Sequence, residues 1–426
     1  MEARSGEIMK ENNRIQVDYL ARVEGEAGFQ INLDSAPPIE IKIFEPPRFF
    51  EGFLVGRKYD EVGDMVSRIC GICPVSHMTT AIQAVEKAMG IVVSDQTRLL
   101  RKILSWSQIV ASHLIHLYML AMPDYYRYRG VVDMIPRFQT QIHRLMQMKE
   151  TVNELTALIG GRALHPVTHL PGGFTSIPSS LQFSAILKKL EAIRGEAGQV
   201  VMDISQLDVP DFRTESVYVA LKDSHDYSIN QGRIASTTGL DIPVENYLDN
   251  FHESQVSYAY AKQSVDKDQK SFMVGALARM NIKYDQLLEE SKKLAEKVGF
   301  SVPSRNPFLN NLAQSLEVFD GIERSIRLIE SFHSQDERRQ VRINPGDGGS
   351  VTEAPRGLLY HWYRINERGM VERANIVTPT SHNFLNMEKD LKKLVNENGK
   401  KGRDDLQGLC EKLVRAYDPC FSCSVH

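Results

Sequence analysis

Two Cys-x-x-Cys pairs stand near opposite ends of this chain, in Cys70-Gly-Ile-Cys73-Pro-Val-Ser-His77 and in Asp418-Pro-Cys420-Phe-Ser-Cys423-Ser-Val-His426. One pair at this spacing suits a redox dithiol, half a zinc site or half a thiolate cluster equally well. Two pairs make a four-thiolate metal site the attractive reading. A structural zinc tying the chain ends together is its plainest form, yet zinc ribbons keep their pairs within roughly a few tens of residues, and 350 residues separate Cys70 from Cys420. Soft thiolates also suit nickel, copper(I) or iron, and a metal that changes coordination during turnover needs neighbours that fix and tune its sulfurs. His77, Asp418 and the terminal His426 lie within a few residues of the cysteines and are of that kind.

The elements that must carry these residues show in the apolar periodicity. Residues 14–45 alternate as strands do, through Ile15, Val17 and Tyr19, then Phe29, Ile31 and Leu33, then Ile39, Ile41 and Ile43, which predicts an N-terminal β-meander or hairpin set. Beyond Pro46-Pro47 the pattern turns helical. Leu145, Met148, Val152, Leu155 and Ile159 mark one buried helix face that Gly160-Gly161 closes. Similar periods run through 97–121, 181–206, 254–298 (in two or three pieces) and 310–333, with strands expected at 216–222 and 371–377. The breaks at 171–180, 344–350 and 396–405 are short for linkers. The chain therefore reads as a single interleaved α+β unit, mainly α: a β region at 14–45, a helical core over 60–340, and a C-terminal region over 341–426 that completes the cysteine site.

Composition narrows the function. With 51 Lys+Arg against 54 Asp+Glu the net charge is −3, which offers no broad electrostatic footprint for nucleic acid or an anionic membrane. A 42% hydrophobic share with 25% charged residues is ordinary globular composition. The longest apolar run, Leu114 to Met122, is broken by His116 and closed by Pro123 and Asp124, short of the ~18 residues that a membrane span needs. Met1 to Asn13 holds neither a secretory core nor a twin-arginine pair, and five sparse cysteines suit a reducing compartment. A cytoplasmic location is expected. Neither Gly-x-Gly-x-x-Gly nor a Walker A loop occurs, so nucleotide binding is not expected in this chain.

Five motifs stand in order: Arg22-Val-Glu24-Gly25; Arg68-Ile-Cys70-Gly-Ile-Cys73-Pro-Val-Ser-His77; Gly160-Gly161-Arg162-Ala-Leu-His165-Pro166 with Pro171-Gly172-Gly173; Glu353-Ala-Pro355-Arg356-Gly357; and Asp418-Pro-Cys420-x-x-Cys423-x-x-His426. Together they resemble the large, catalytic subunit of [NiFe] hydrogenases in its mature, processed form, and the likeness spans nearly the whole chain. It implies the [NiFe] hydrogenase large-subunit fold, which the quinone-site subunit of complex I shares, and reversible heterolytic oxidation of H2 or reduction of protons.

The resemblance also implies roles. Cys70 and Cys420 match the terminal nickel ligands, and Cys73 and Cys423 the thiolates that bridge nickel to iron. Arg356 and Thr380 match the donors to cyanides on an iron that also holds carbon monoxide. His77 matches a hydrogen-bond partner of the Cys73 sulfur, and Glu24 the carboxylate that exchanges protons with Cys420. Glu51, the Ile376 carbonyl and His426 match a magnesium shell. Asp124 and Asp418 match acids pairing with Arg356 above the metals, with Pro355 packed beside them. His113, His116, His165 and His169 are expected to have structural roles and no metal.

Once four cysteines hold the metals only Cys410 remains, and an iron–sulfur cluster needs about four thiolates. Electrons must therefore leave through another chain, in this family the iron–sulfur small subunit. Gly-Gly-Arg before His165, the compact length and the absent anchor are similar to the cytoplasmic group that couples hydrogen to NAD(P) through flavin and iron–sulfur diaphorase subunits. F420-linked and sulfur-reducing hydrogenases are the near alternatives. Outside the enzyme class stand a zinc-bound scaffold and a quinone-module subunit. The second of these predicts loss of the thiolates.

Overall fold

Alternation builds the first sheet. In the computed structural model, which describes residues 14–32, 39–335, 339 and 341–426, strands Arg14–Val17, Ala27–Asn32 and Glu40–Ile43 form an antiparallel sheet in that order. Ile15, Val17, Phe29, Ile31, Ile41 and Ile43 face the core. Tyr19 lies beyond the first strand and is exposed. Leu33 and the Met1 to Asn13 segment lie outside the described residues.

Four long helices, Asp95–Ile115, Gln139–Gly160, Ser180–Ser205 and Asn310–Glu330, pack on one another and share one hydrophobic core with this sheet, and the predicted face from Leu145 to Ile159 is buried. Their ends follow the sequence. Gly161 closes the second in the left-handed conformation, and Ser179 with Gln182 forms a capping box on the third. The first continues as a π-helical turn over His116–Ala121. By length and composition the helical stretch Asp95–Tyr125 is apolar enough to cross a membrane, which the short run Leu114 to Met122 does not suggest, but most of its apolar window is buried inside the fold. It is the core helix between two neighbours.

The expectation of helices throughout 254–298 is corrected. Phe251–Gln255 and Lys262–Asp266 pair as an antiparallel hairpin, Phe272–Met273 is a short strand, and helices begin only at Ala276 and Glu289. Local turn chemistry defeats the helical period here, because the Asp266 carboxylate accepts from the backbone N–H groups of Asp268 and Lys270 and closes a tight turn. The strands expected at 216–222 and 371–377 are present as Val217–Lys222 and Val371–Val377.

The last of these is the edge of a meander, Gly346–Ala354, Gly357–Ile365 and Val371–Val377, whose first two strands the periodicity does not announce. The sheet lies directly on the helix Pro74–Met89. At Gly348 a Cβ would collide with the backbone of Ala84 and Ala88, so only glycine permits the approach. That contact sets the Ala354-to-Gly357 turn and Ile376 beside the first cysteine pair.

Beneath the turn lies a buried ionic cluster. Arg279, fully buried, donates to Glu317 through Nε and Nη2 (both 2.6 Å) and to Glu353 through Nη1 (3.1 Å), while His113 Nε2 and Tyr227 Oη hold Glu317 at 2.8 and 2.6 Å. Arg279 Nη2 also donates to the Pro355 carbonyl at 3.0 Å, which fixes the turn. Breaking such a pair strands a buried charge. Glu317→Leu is expected to lower stability by about 3–5 kcal/mol, read as a shift of the urea midpoint. A change under about 1 kcal/mol would show the cluster to be dispensable.

Candidate metal centre

The two cysteine pairs meet. Cys70 Sγ lies 3.6 Å from Cys420 Sγ, Cys73 Sγ lies 3.6 Å from Cys423 Sγ, and Cys420 Sγ lies 2.6 Å from Cys423 Sγ. All four are buried. Pro74 opens the helix Pro74–Met89 at its first position, and in the preceding loop the N–H groups of Ile72 and Cys73 point at the Cys70 sulfur at 3.2 and 3.4 Å. Cys420 N–H donates to Thr380 Oγ1 (2.9 Å), and Phe421 N–H to the Glu24 carbonyl (2.7 Å), so the second pair is hung between the N-terminal loop and the start of the helix Pro379–Asn398. The thiols act as one group. Hydrogen bonds from Cys420, Cys423 and Cys73 hold Cys70 well below the usual thiol value, while burial holds Cys420 and Cys423 well above it. A soft cation would displace the remaining protons.

Glu24 joins this cluster through a backbone bridge to Cys420. Its carboxyl is raised, first by burial and then by the neighbouring Cys70 sulfur, with Arg356 opposing. The turn that carries it is tight: Arg22 is left-handed (φ 61°), and a Cβ on Gly25 (φ 88°) would strike the backbone nitrogen of Ser422. Arg356, also buried, donates from Nε to the Asp418 carbonyl (2.9 Å) and to Asp418 Oδ1 (3.0 Å). Among the described residues its Nη1 has no hydrogen-bond partner.

Glu51, Ile376 and His426 form a second constellation. Glu51 Oε1 accepts from Ile376 N–H at 2.8 Å and lies 3.9 Å from His426 Nε2. Ile376 sits on an edge strand, and an antiparallel residue directs its N–H and C=O to the same side. The carbonyl therefore faces Glu51 too. Burial raises the Glu51 carboxyl, but His426 and the Ile376 N–H outweigh it and hold the group below its ordinary value.

The family model described as nickel-dependent hydrogenase matches residues 48–142 and 191–426. The chain belongs to this family. Among its relatives is the alpha subunit of sulfhydrogenase 1 from Pyrococcus furiosus, 34% identical over 97% of each chain, and the alpha subunit of sulfhydrogenase 2 from the same organism is 34% identical over 97% of this chain and 98% of that one. An NAD+-reducing [NiFe]-hydrogenase shares the fold, with a TM-score of 0.86 and 24% identity over 97% of this chain and 99% of that one. The mainly helical α+β architecture is thus that of a [NiFe] hydrogenase large subunit.

The residues of this hydrogenase large subunit fit a nickel–iron pair. Four buried sulfurs come from both chain ends, and ligand atoms of Cys73, Cys423 and His77 lie within 4.8 Å of one another. His77 Nε2, like Arg356 Nη1, is a buried polar atom with no hydrogen-bond partner among the described residues. The order of ring protons around it follows from its neighbours. Tyr363 Oη lies 2.6 Å from His361 Nδ1, and His361 Nε2 lies 3.2 Å from His77 Nδ1. If the phenol donates, each ring passes its proton onward and His77 presents Nε2–H toward the sulfurs. Burial drives the His77 imidazole down to about 3 and that of His361 well below its ordinary value, so both are neutral.

One expected pairing is not formed. Asp124 does not meet Arg356; it accepts from Arg415 Nε (2.6 Å) and Nη2 (2.9 Å) and from Arg22. The π turn ahead of it sets Asp124 at the end of the core helix, where it ties the Arg22 loop to the helix Arg403–Ala416. Of the two acids, Asp418 is the one that pairs with Arg356. His113 bonds Glu317, His165 Nδ1 contacts the Ser67 carbonyl, and His169 contacts Arg101, all structural partners.

Sequence reasoning missed Arg48, His361, Tyr363 and Gln314, the last of which donates from Nε2 to Asp418 Oδ2 at 2.9 Å. Arg48 Nη2 donates to the carbonyls of Ile69 (2.8 Å) and Ser422, clamping both cysteine loops. Only its place after Pro46-Pro47 could have drawn notice.

Proposed function

We propose that this large subunit catalyses reversible heterolytic cleavage of H2, with Cys70 and Cys420 as terminal nickel ligands, Cys73 and Cys423 as bridges to an iron carrying carbon monoxide and cyanide, and Glu24 as the proton carrier. The observation that carries the reading is the convergence of four buried sulfurs with Glu24 bridged to Cys420. The metal pair, when bound, polarises H2 and takes up its electrons. The protein supplies a dry site, the donors Arg356 Nη1 and Thr380 Oγ1 for the cyanides, and a base for the proton. Cys420 hands that proton to Glu24. Beyond it Glu45 accepts from Ser422 Oγ at 2.7 Å, next to the Glu24 loop, and is partly open to solvent.

Glu51, the Ile376 carbonyl and His426 hold magnesium in this reading. Carboxylate and carbonyl oxygens suit that ion, with water completing the shell. Glu51→Gln should weaken magnesium binding at least about tenfold, read by metal analysis after dialysis against chelator, and unchanged retention would remove Glu51 from the shell.

Electrons leave to an iron–sulfur small subunit. From there they pass to NAD(P) through flavin and iron–sulfur diaphorase subunits in the cytoplasm. The NAD+-reducing enzyme that shares the fold supports this acceptor, while the sulfhydrogenase relatives favour sulfur as the second reading.

The test is an infrared spectrum of the purified complex in the metal carbonyl and cyanide region. Bands that shift under hydrogen are the expected result. A metallated, folded sample without them would overturn the reading.

A further inference from the structure

Away from the cysteines, the end of the helix Pro74–Met89, the start of the helix Asp95–Ile115 and the loop around Asn230 enclose two adjoining hollows of about 300 and 250 Å³. The larger reaches the size at which small-molecule sites begin. The two share one wall, made by Gln83, Arg98, Arg101, Asn230 and Gln231.

That wall presents donors. Arg101, 2% exposed, donates from Nη1 and Nη2 to the two oxygens of Glu86 (2.8 and 2.5 Å) and from Nε to His169 Nε2 (2.8 Å), which among the described residues uses three of its five N–H groups. Glu86 is occupied in turn, because it also accepts from Gly172 N–H at 2.7 Å. Asn230, 6% exposed, accepts at Oδ1 from Ser105 Oγ (2.9 Å), and its Nδ2 has no hydrogen-bond partner among the described residues. Buried donors are ordinarily paired, so an unpaired one on the wall of a hollow marks a place for an acceptor.

Charge gives the acceptor its sign. Lys87, Arg98 and Arg101 line the first hollow against one carboxylate, Glu86, and Arg98, Arg101 and Lys102 line the second against Asp95, in a chain whose net charge is −3. The two lysines are already drawn off, to Glu245 (2.8 Å) and Asp226 (2.6 Å). Arg98, bonded through Nη1 to Asp95, is the half-exposed cation of the shared wall. Beyond that wall the lining is apolar, with Val93, Val244 and Val351 in the first hollow and Leu99 and Leu328 in the second.

We propose that these hollows bind a small organic acid, its carboxylate set on the shared wall against Asn230 Nδ2, Arg101 and Arg98 and its hydrocarbon body laid along the apolar lining. The donors fix the acid group, and a guanidinium suits a carboxylate in particular. No cysteine lines either hollow, so the site stands apart from the metal centre and does not rest on the nickel–iron reading.

Calorimetric titration of the purified complex with hexanoate, hexanol and inorganic phosphate tests this. Hexanoate is expected to bind at least about tenfold more tightly than the alcohol, which lacks the charge, and than phosphate, which lacks the body. Asn230→Leu and Arg98→Gln should each weaken hexanoate at least about tenfold while hydrogen turnover stays at the wild-type rate. No binding of hexanoate, equal binding of hexanol, or unchanged affinity in Arg98→Gln would overturn the proposal. Phosphate bound as tightly as hexanoate would replace the organic acid by an inorganic anion and overturn it too. Should Asn230→Leu fail to fold, Arg98→Gln still decides, since that side chain lies at the rim.

Discussion

Cys423→Ser is expected to leave the chain folded and soluble but without its metals, with hydrogen oxidation at background. A serine hydroxyl is a hard, weakly acidic donor that keeps its proton near neutral pH, whereas nickel and iron at such a site favour soft thiolate. The cost is concentrated because Cys423 meets both Cys73 (3.6 Å) and Cys420 (2.6 Å), so removing its sulfur breaks the cluster in the middle. Folding should survive, since Cys423 hangs on the C-terminal turn while the core is carried by the four long helices. The comparison is Cys410→Ser. Burial pushes that thiol up to about 12, it is packed among apolar side chains, and it has no place in the cluster. Metal analysis of both variants should give near-zero nickel for the first and full loading for the second. Full nickel in Cys423→Ser would remove this sulfur from the ligand set.

The cysteine pairs, Glu24 and Arg356 are legible as a group because each sits in a short motif, and the fold brings these motifs together. The N-terminal meander and the long helices were legible because their buried faces follow period 2 and period 3.6 without interruption. What was lost is what depends on pairing across the chain. The strands Phe251–Gln255 and Lys262–Asp266 carry few apolar residues, and the turn that follows them is set by side-chain bonds of Asp266, so the helical-looking spacing of this stretch misleads. The resemblance pairs Asp124 with Arg356, but a sequence does not say which arginine a π turn will deliver, and Asp124 meets Arg415 and Arg22 instead. His361 and Gln314 are single residues with no motif around them. The register that sets His361 against Ile376, and the packing that sets Gln314 against His116, exist only in the fold.

Glu24→Gln separates proton movement from everything else the site does. The amide keeps the size and the backbone bridge to Cys420, so both metals, the infrared bands and the ion pair of Arg356 with Asp418 should be unchanged. It cannot take up and release a proton at neutral pH, and the expected loss in turnover is about 10²- to 10⁴-fold, the usual contribution of a general acid–base group. Hydrogen–deuterium exchange into H2 should fall with it. The rival base is Arg356, which is poorly suited: its Nε–H is committed to Asp418, and although burial works against the charge, Asp418 and the thiolates push the guanidinium well above its already high value. Glu24 is the opposite case, a carboxyl raised by burial and by Cys70 toward the range where it can both accept and donate. Glu24→Asp retains the acid at shorter reach and should recover part of the rate. Full turnover and exchange in Glu24→Gln would end the case for this relay and return the proton to Arg356 or to water.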